Sequence, residues 1–286
     1  MAKNSNALKF IKLLLNHEMV LDLDHHDDQG VKVTTHTYDV LKISFEEIRR
    51  DYRDLKEARE KVDFFSIVVG VIIHDLSKGS IRKADEKLSH SQMMIKKPEY
   101  IIKEAERVLS EIEEVLNLKI VDKIKKNITH IVISHHGKWG KIQPNTKEAH
   151  IVHRADMYSA KYHRINPIGA DKILKLMSEG VNLDEVAKKF NCTTGVIKDR
   201  LKRAKHELRL KNTKQLLGYY KSKKKIPIGD DFFTKRVRET EKLIKAVDRL
   251  GFENLILENP LLNYLEDDKI LKRKEINERK SRCSTS

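Results

Sequence analysis

The stretch Val68-Val-Gly-Val-Ile-Ile-His-Asp-Leu-Ser-Lys78 decides how this chain of 286 residues is read. It is an apolar run that breaks off in His-Asp and then a lysine. It sets an imidazole and a carboxylate beside a core, where either is costly unless something pairs with it. A metal ion is the cheapest partner. Working outward, the first 160 residues carry more groups of the same kind, in the order His36, His74-Asp75, His90, His135-His136 and Asp156. Imidazoles mixed with carboxylates suit a divalent transition metal, one or two ions of Mn, Fe, Co, Ni or Zn. An all-oxygen set would suggest Mg or Ca.

Neighbouring ligands on a helix point about 100° apart, so His74-Asp75 can converge on one ion only where the helix stops. Gly79 and the loop after Lys78 supply that stop. His135-His136 repeats the arrangement ahead of Gly137. Taken singly, His36 and His90 read more simply as core histidines; the joint pattern makes them ligands. His25-His26 reads as a solvated surface pair, and His130, His150 and His153 as core residues or supports for the ligands.

Leu, Ile and Val dominate the apolar set, aromatics are 6%, and there are only 11 Gly and 5 Pro, a mix that predicts an all-α protein. Cys192 and Cys283 match no zinc or redox spacing, which excludes a disulfide framework and sets a reducing cytoplasm as the expected location. No apolar stretch nears the roughly 20 residues of a membrane span, so no membrane partner is expected. The net charge of +15 is uneven: residues 161–286 hold 31 Lys+Arg against 18 Asp+Glu, and residues 1–160 hold 27 against 25. A nearly neutral, ligand-rich half precedes a basic half, and the two are expected to do different jobs.

Apolar periodicity predicts helices near Leu8–Leu15, from about His36 with Thr34 or Thr35 as cap, over 59–76 ending in His74-Asp75, from Pro98 to Leu118, from Val121 to His136, and from Thr146 to about Ile165. Asn166-Pro167 marks a junction. Beyond it, Leu183–Phe190 and Thr194 to about Leu210 read as a helix-turn-helix of the sigma-region-4 type, with Ala187 small at the crossing and Asn191 left-handed in the turn. Val196, Ile197, Leu201 and Leu208 are expected to face the core, leaving Lys198, Arg200, Lys202, Arg203 and Lys205 for nucleic acid. A helical hairpin with a solvated basic surface fits the same pattern. The expected domains are therefore 1–165 with the ligands, 166–222 with the helix-turn-helix, a helical extension at 223–268 with a helix over about 232–250, and a basic tail at 269–286 without fixed structure.

The order His36, His74-Asp75, Asp156 resembles the HD superfamily of metal-dependent phosphohydrolases. The motifs Gly70-Val-Ile-Ile-His-Asp-Leu-Ser-Lys78, Leu88-Ser-His90, Ser134-His-His-Gly-Lys138 and Glu148-Ala-His-Ile-Val-His-Arg-Ala-Asp156, with Ala160-Lys161, are similar to the HD domain of YhaM-type 3'-to-5' exoribonucleases. The similarity covers roughly residues 30–165. It implies that His36, His74, Asp75 and Asp156 hold one metal, and that Asp75 bridges to a second held by His90, His135 and His136. Two such ions would activate a hydroxide for in-line attack at phosphorus. Lys78 would then neutralise a phosphate oxygen in the transition state, and Lys138 and Trp139 would contact substrate, the indole by stacking on a base. Trp139 also fits as a core plug, and Lys78 as a solvated helix-end lysine. No Gly-Tyr-Pro follows His135-His136 and no acidic pair follows His74-Asp75, which argues against cyclic-di-GMP and (p)ppGpp hydrolases. The exoribonucleases carry an RNA-binding OB-fold ahead of the HD domain, where this sequence has about 30 residues.

The expected function is hydrolysis of phosphoester bonds in nucleic acid, DNA or RNA, as a nuclease that a 3'-to-5' exonuclease would exemplify. One alternative is a dNTP or NMP phosphohydrolase with a regulatory DNA-binding module. Another, of a different class, is a DNA-binding transcriptional regulator whose HD domain senses a nucleotide.

Overall fold

The computed structural model describes residues 5–28, 30–79, 88–163, 168–223, 232–265 and 271–273. The fold is all-α: fifteen α-helices among the described residues, with strands confined to four pieces of two or three residues. By its internal contacts the chain forms two units. The first comprises the described residues of 1–26, 32–159 and 250–286; the second those of 27–31 and 160–249. Among the described residues no helix is long and apolar enough to cross a membrane.

In the first unit, Ser5 caps α1 (Asn6–Leu15) by accepting from the Leu8 N–H at 3.0 Å, and α2 (Glu18–Leu21) follows. Helix α3 (Val33–Asp51) begins earlier than the sequence suggests. Thr34 and Thr35 fall inside its first turn, and Thr34 Oγ1 donates to Asp24 Oδ1 at 2.6 Å instead of capping. The single helix expected over 59–76 is two: α4 (Leu55–Lys61) and α5 (Phe64–Ile73). Val62 is extended at φ −134°, and Asp63 restarts the helix by accepting from the Phe65 N–H at 3.1 Å and from the Ser66 hydroxyl. A side chain that takes up an orphan N–H of the first turn sets a helix start, whatever apolar run surrounds it.

All ten residues of α5 are buried. Against it pack α1, α3 and α8 (Asp122–Ser134), and the same unit holds α6 (His90–Lys96), opened by a Ser89/Gln92 capping box, α7 (Pro98–Leu116) and α9 (Lys147–Tyr162). Asn117 stops α7 in the left-handed conformation at φ 50°, and Leu118–Ile120, following the two-residue strands β1 (Asp27–Asp28) and β2 (Val31–Lys32), forms β3, antiparallel to β4 (Leu271–Arg273). Late in the chain α15 (Phe252–Leu257) packs on α3, and the turn Pro260–Tyr264 packs on α5, burying Leu261 and Leu262.

The second unit contains α10 (Ala170–Ser178), α11 (Leu183–Lys189), α12 (Thr194–Glu207), α13 (Thr213–Lys223) and α14 (Phe232–Leu250). Asn182 and Glu185 form a capping box on α11. Asn191 is left-handed at φ 47° in the turn to α12, where Thr193 is the cap residue without a side-chain capping bond. Ile173, Leu174, Val186, Ile197, Leu201 and Leu216 make a core of their own. The Asn166-Pro167 junction, most of the basic run 221–229, and the 269–286 tail apart from β4 lie outside the described residues.

Helices α5 and α8 cross closely. A Cβ built on Gly70 would lie 2.8 Å from Ile131 Cγ2, on a β-branched side chain that cannot swing aside. Gly70→Val should therefore lower the unfolding free energy by about 1–3 kcal/mol, as overpacking of a filled core does, measured by urea denaturation. Unchanged stability would mean that the two helices are free to separate.

Candidate metal centre

His74 ends α5 and His135 ends α8, and the same local chemistry aims both rings. Each Nδ1 lies 2.7 Å from the carbonyl oxygen three residues back, that of Val71 for His74 and that of Val132 for His135. A carbonyl only accepts, so Nδ1 carries the proton and Nε2 keeps its lone pair. The two rings are fully buried, with centroids 4.9 Å apart.

Asp75 leaves helical geometry at φ −105°, ψ 17° and opens the short turn Leu76–Lys78. Its two oxygens face different neighbours. Oδ2 is 3.3 Å from His74 Nε2 and 3.7 Å from His36 Nε2, while Oδ1 is 3.3 Å from His90 Nε2 and 3.8 Å from His135 Nε2. Asp156 Oδ1 joins the first set, 2.9 Å from His36 Nε2. His136 Nε2 joins the second, 2.8 Å from His90 Nε2. Within each of three groups, His36/His74/Asp156, His74/Asp75/His135 and His90/His135/His136, one ligand atom per residue lies within 4.8 Å of the others. The seven residues singled out from sequence thus converge in one place.

Three supporting side chains, Asp39, Ser77 and Ser159, escaped the sequence reading. Ser159 Oγ sits 3.0 Å from His36 Nδ1 and donates to Asp39 Oδ2 at 2.7 Å, so the hydroxyl can accept the imidazole proton. Ser77 Oγ is 2.7 Å from His90 Nδ1. The signal was present in the spacing: Asp39 follows His36 by three residues and Ser159 follows Asp156 by three, one turn along the same helical face. A fourth support, His153, donates from Nδ1 to the His135 carbonyl at 2.5 Å.

Burial favours uncharged groups, and the site works with that for its imidazoles and against it for its carboxylates. Burial pushes His90 and His135 well below the usual histidine range and lowers His136 as well. Burial alone would raise Asp75 and Asp156; the charges of His74 and Lys78 hold Asp75 well below its usual range, and the hydrogen bond and charge of His36 do the same for Asp156. His74 is the exception: burial lowers it, but the charge and hydrogen bond of Asp75, the charge of Asp156 and the Val71 carbonyl together outweigh that and raise it. Ionised carboxylates beside neutral imidazoles are the protonation state that binds a cation.

The donors fit a divalent transition metal. His74 Nε2, His135 Nε2 and His136 Nδ1 are buried without a hydrogen-bond partner, and each such atom costs about 1–3 kcal/mol if nothing else engages it. The lone pair of His74 Nε2 and that of His135 Nε2 face the carboxylate of Asp75, which cannot donate to them when ionised.

Lys78 is buried, 8% exposed, with Nζ 2.8 Å from Asp75 Oδ2, so it is no solvated helix-end lysine. Trp139 is 60% exposed, which removes the core-plug reading, and Lys138 Nζ lies 5.0 Å from its ring centroid. In the second unit Lys198 and Lys202 are exposed and Arg203 and Lys205 half-exposed. Arg200 departs from expectation: it is buried in that unit, 3.2 Å from Asp199, because it lies on the stripe of α12 that carries Ile197 and Leu201.

Residues 33–161 match the family described as HD domain, a span that holds all seven candidate ligands. The superfamily to which this segment is similar consists in general of metal-dependent phosphohydrolases. No curated protein and no solved structure matches the chain.

Asp75→Asn should strip divalent metal from protein purified without chelator, measured by elemental analysis, with helical circular dichroism unchanged. Ser159→Ala should weaken metal binding by roughly 10- to 100-fold, the usual effect of removing a ligand's hydrogen-bond partner. Full metal retention in Asp75→Asn would refute the assignment.

Proposed function

We propose that the protein is a metal-dependent phosphohydrolase that cleaves phosphoester bonds in nucleic acid, a nuclease, with 3'-to-5' exonucleolytic release as its mode. The observation that carries the hydrolase part is the convergence of seven candidate ligands, most of them buried, inside the segment that matches the HD-domain family, three ring nitrogens among them lacking hydrogen-bond partners. His36, His74, Asp75 and Asp156 would hold one ion, and Asp75, His90, His135 and His136 a second. When bound, such an ion polarises a phosphoryl oxygen and makes water nucleophilic at neutral pH.

The chain's own groups do the rest. Lys78, held beside Asp75, presents a positive charge to a phosphate oxygen as negative charge builds there. The exposed indole face of Trp139 offers a platform for a base, and Lys138 beside it a partner for the flanking phosphate. Favouring a polymer over a free nucleotide is the surplus of positive charge in residues 161–286, with Lys198, Lys202, Arg203 and Lys205 on α12 open to solvent in whole or part.

The test is incubation of protein loaded with Mn, Co, Ni or Fe with labelled single-stranded RNA, single-stranded DNA and a panel of dNTPs and monophosphates. Stepwise release of mononucleotides from the 3' end is expected. Turnover of free nucleotides alone would transfer the assignment to a nucleotide phosphohydrolase, and nucleotide binding without turnover to a sensor. Separately, Lys198→Ala with Lys202→Ala should weaken nucleic-acid binding and reduce its logarithmic salt slope by about 2, since each lysine removed leaves one phosphate with its counterions. An unchanged slope would remove α12 from the interface.

A further inference from the structure

His153 lies on α9, three residues before Asp156, outside the seven ligands. Its Nδ1–H donates at 2.5 Å to the carbonyl oxygen of His135. That oxygen belongs to the peptide that joins His135 to His136. The Trp139 N–H, which would reach it if α8 continued, bonds instead to the His136 carbonyl at 3.1 Å. The imidazole thus takes over a carbonyl that the end of the helix leaves behind.

The ring also meets the turn that follows. Gly137 is left-handed at φ 53°, and a Cβ there would lie 2.3 Å from His153 Cε1 and 2.6 Å from Nε2. Glycine is required twice, for its backbone conformation and for the space the imidazole fills. One side chain therefore fixes the peptide plane between two adjacent ligands and blocks the turn after them from shifting.

We infer that His153 is a positioning residue for the cation subsite of His90, His135 and His136, acting through the His135–His136 peptide. The inference rests on the metal-site reading of this centre. A bond of this kind serves ligand geometry: with the peptide plane free, the two rings lose their fixed angle, 75° between planes at 4.4 Å separation. The subsite of His36, His74 and Asp156 has its own supports in Ser159 and the Val71 carbonyl and does not depend on His153.

The test uses calorimetric titration of metal-free full-length protein with Co(II), together with the visible absorption of the Co(II) protein. His153→Phe keeps a ring against Gly137 but loses the donor. His153→Asn keeps an amide N–H near the place of Nδ1. Wild type should take up two equivalents. The Phe variant should hold the first normally and the second 10- to 100-fold more weakly, with altered absorption, and the Asn variant should recover the second to within a few fold. Gly137→Ala, which displaces the ring, should match the Phe variant. A Phe variant with wild-type binding overturns the inference and leaves the metal reading intact. Equal weakening of both equivalents, or no recovery with Asn, also overturns it, since either would assign the ring to general packing. A wild type that binds no Co(II) refutes the metal reading itself.

Discussion

The centre depends on how closely α5 and α8 cross. Gly70 lets Ile131 press against the α5 backbone. Four residues after Gly70 comes His74, and four residues after Ile131 comes His135. One helical turn beyond the crossing, on the same faces, the two histidines are therefore brought side by side. Both helices end there, so the groups that follow, Asp75 and His136, turn inward instead of continuing round a cylinder. A larger residue at position 70 would widen the crossing and separate the very atoms that have to converge.

Ending two helices at one point also sets the local potential. Each C-terminus carries a partial negative charge of roughly half an electron, which favours a cation. The carboxylates of Asp75 and Asp156 add to it, and burial favours the neutral form of His90, His135 and His136. The proton on each Nδ1 of His74 and His135 is committed to a backbone carbonyl, so helix geometry itself holds the tautomer. The orientation of these rings is built from main chain, which cannot mutate away; that of His36 and His90 is built from Ser159 and Ser77, which can.

Local chemistry was legible in the sequence, and pairings between distant segments were not. Periodic apolar positions placed α7 and α14 nearly to the residue, and Asn191 was identified as the left-handed turn residue from its type alone. The start of α5 was misplaced because Val62, Phe64 and Phe65 continue the apolar run across the break; Asp63 with Ser66 three residues on was the signal that a helix begins there. Arg200 was set on the polar face by its charge, although its spacing from Ile197 puts it on the buried stripe. The candidate ligands were legible as residue types, His74-Asp75 and His135-His136 at helix ends, whereas Asp39 and Ser159 were marked only by their three-residue spacing from His36 and Asp156, and Ser77 gains its role by what folds beside it. The return of residues 252–264 to the first unit has no local signature at all, because Leu261 and Leu262 read like any apolar pair.

His36 and Asp156 meet at 2.9 Å across 120 residues of sequence. During synthesis the first group to emerge waits for the last, and the His-Asp and His-His pairs in between can offer only partial, weak chelation. Tight capture of an ion would thus be deferred until the whole first unit has closed. Once captured, an ion would tie the ends of a long loop together, and the folded form would gain stability in proportion to the logarithm of the free metal concentration. Metal supply would then act on the lifetime of the folded chain as well as on its chemistry, and a cell poor in the metal would hold less of the protein and not merely a less active one.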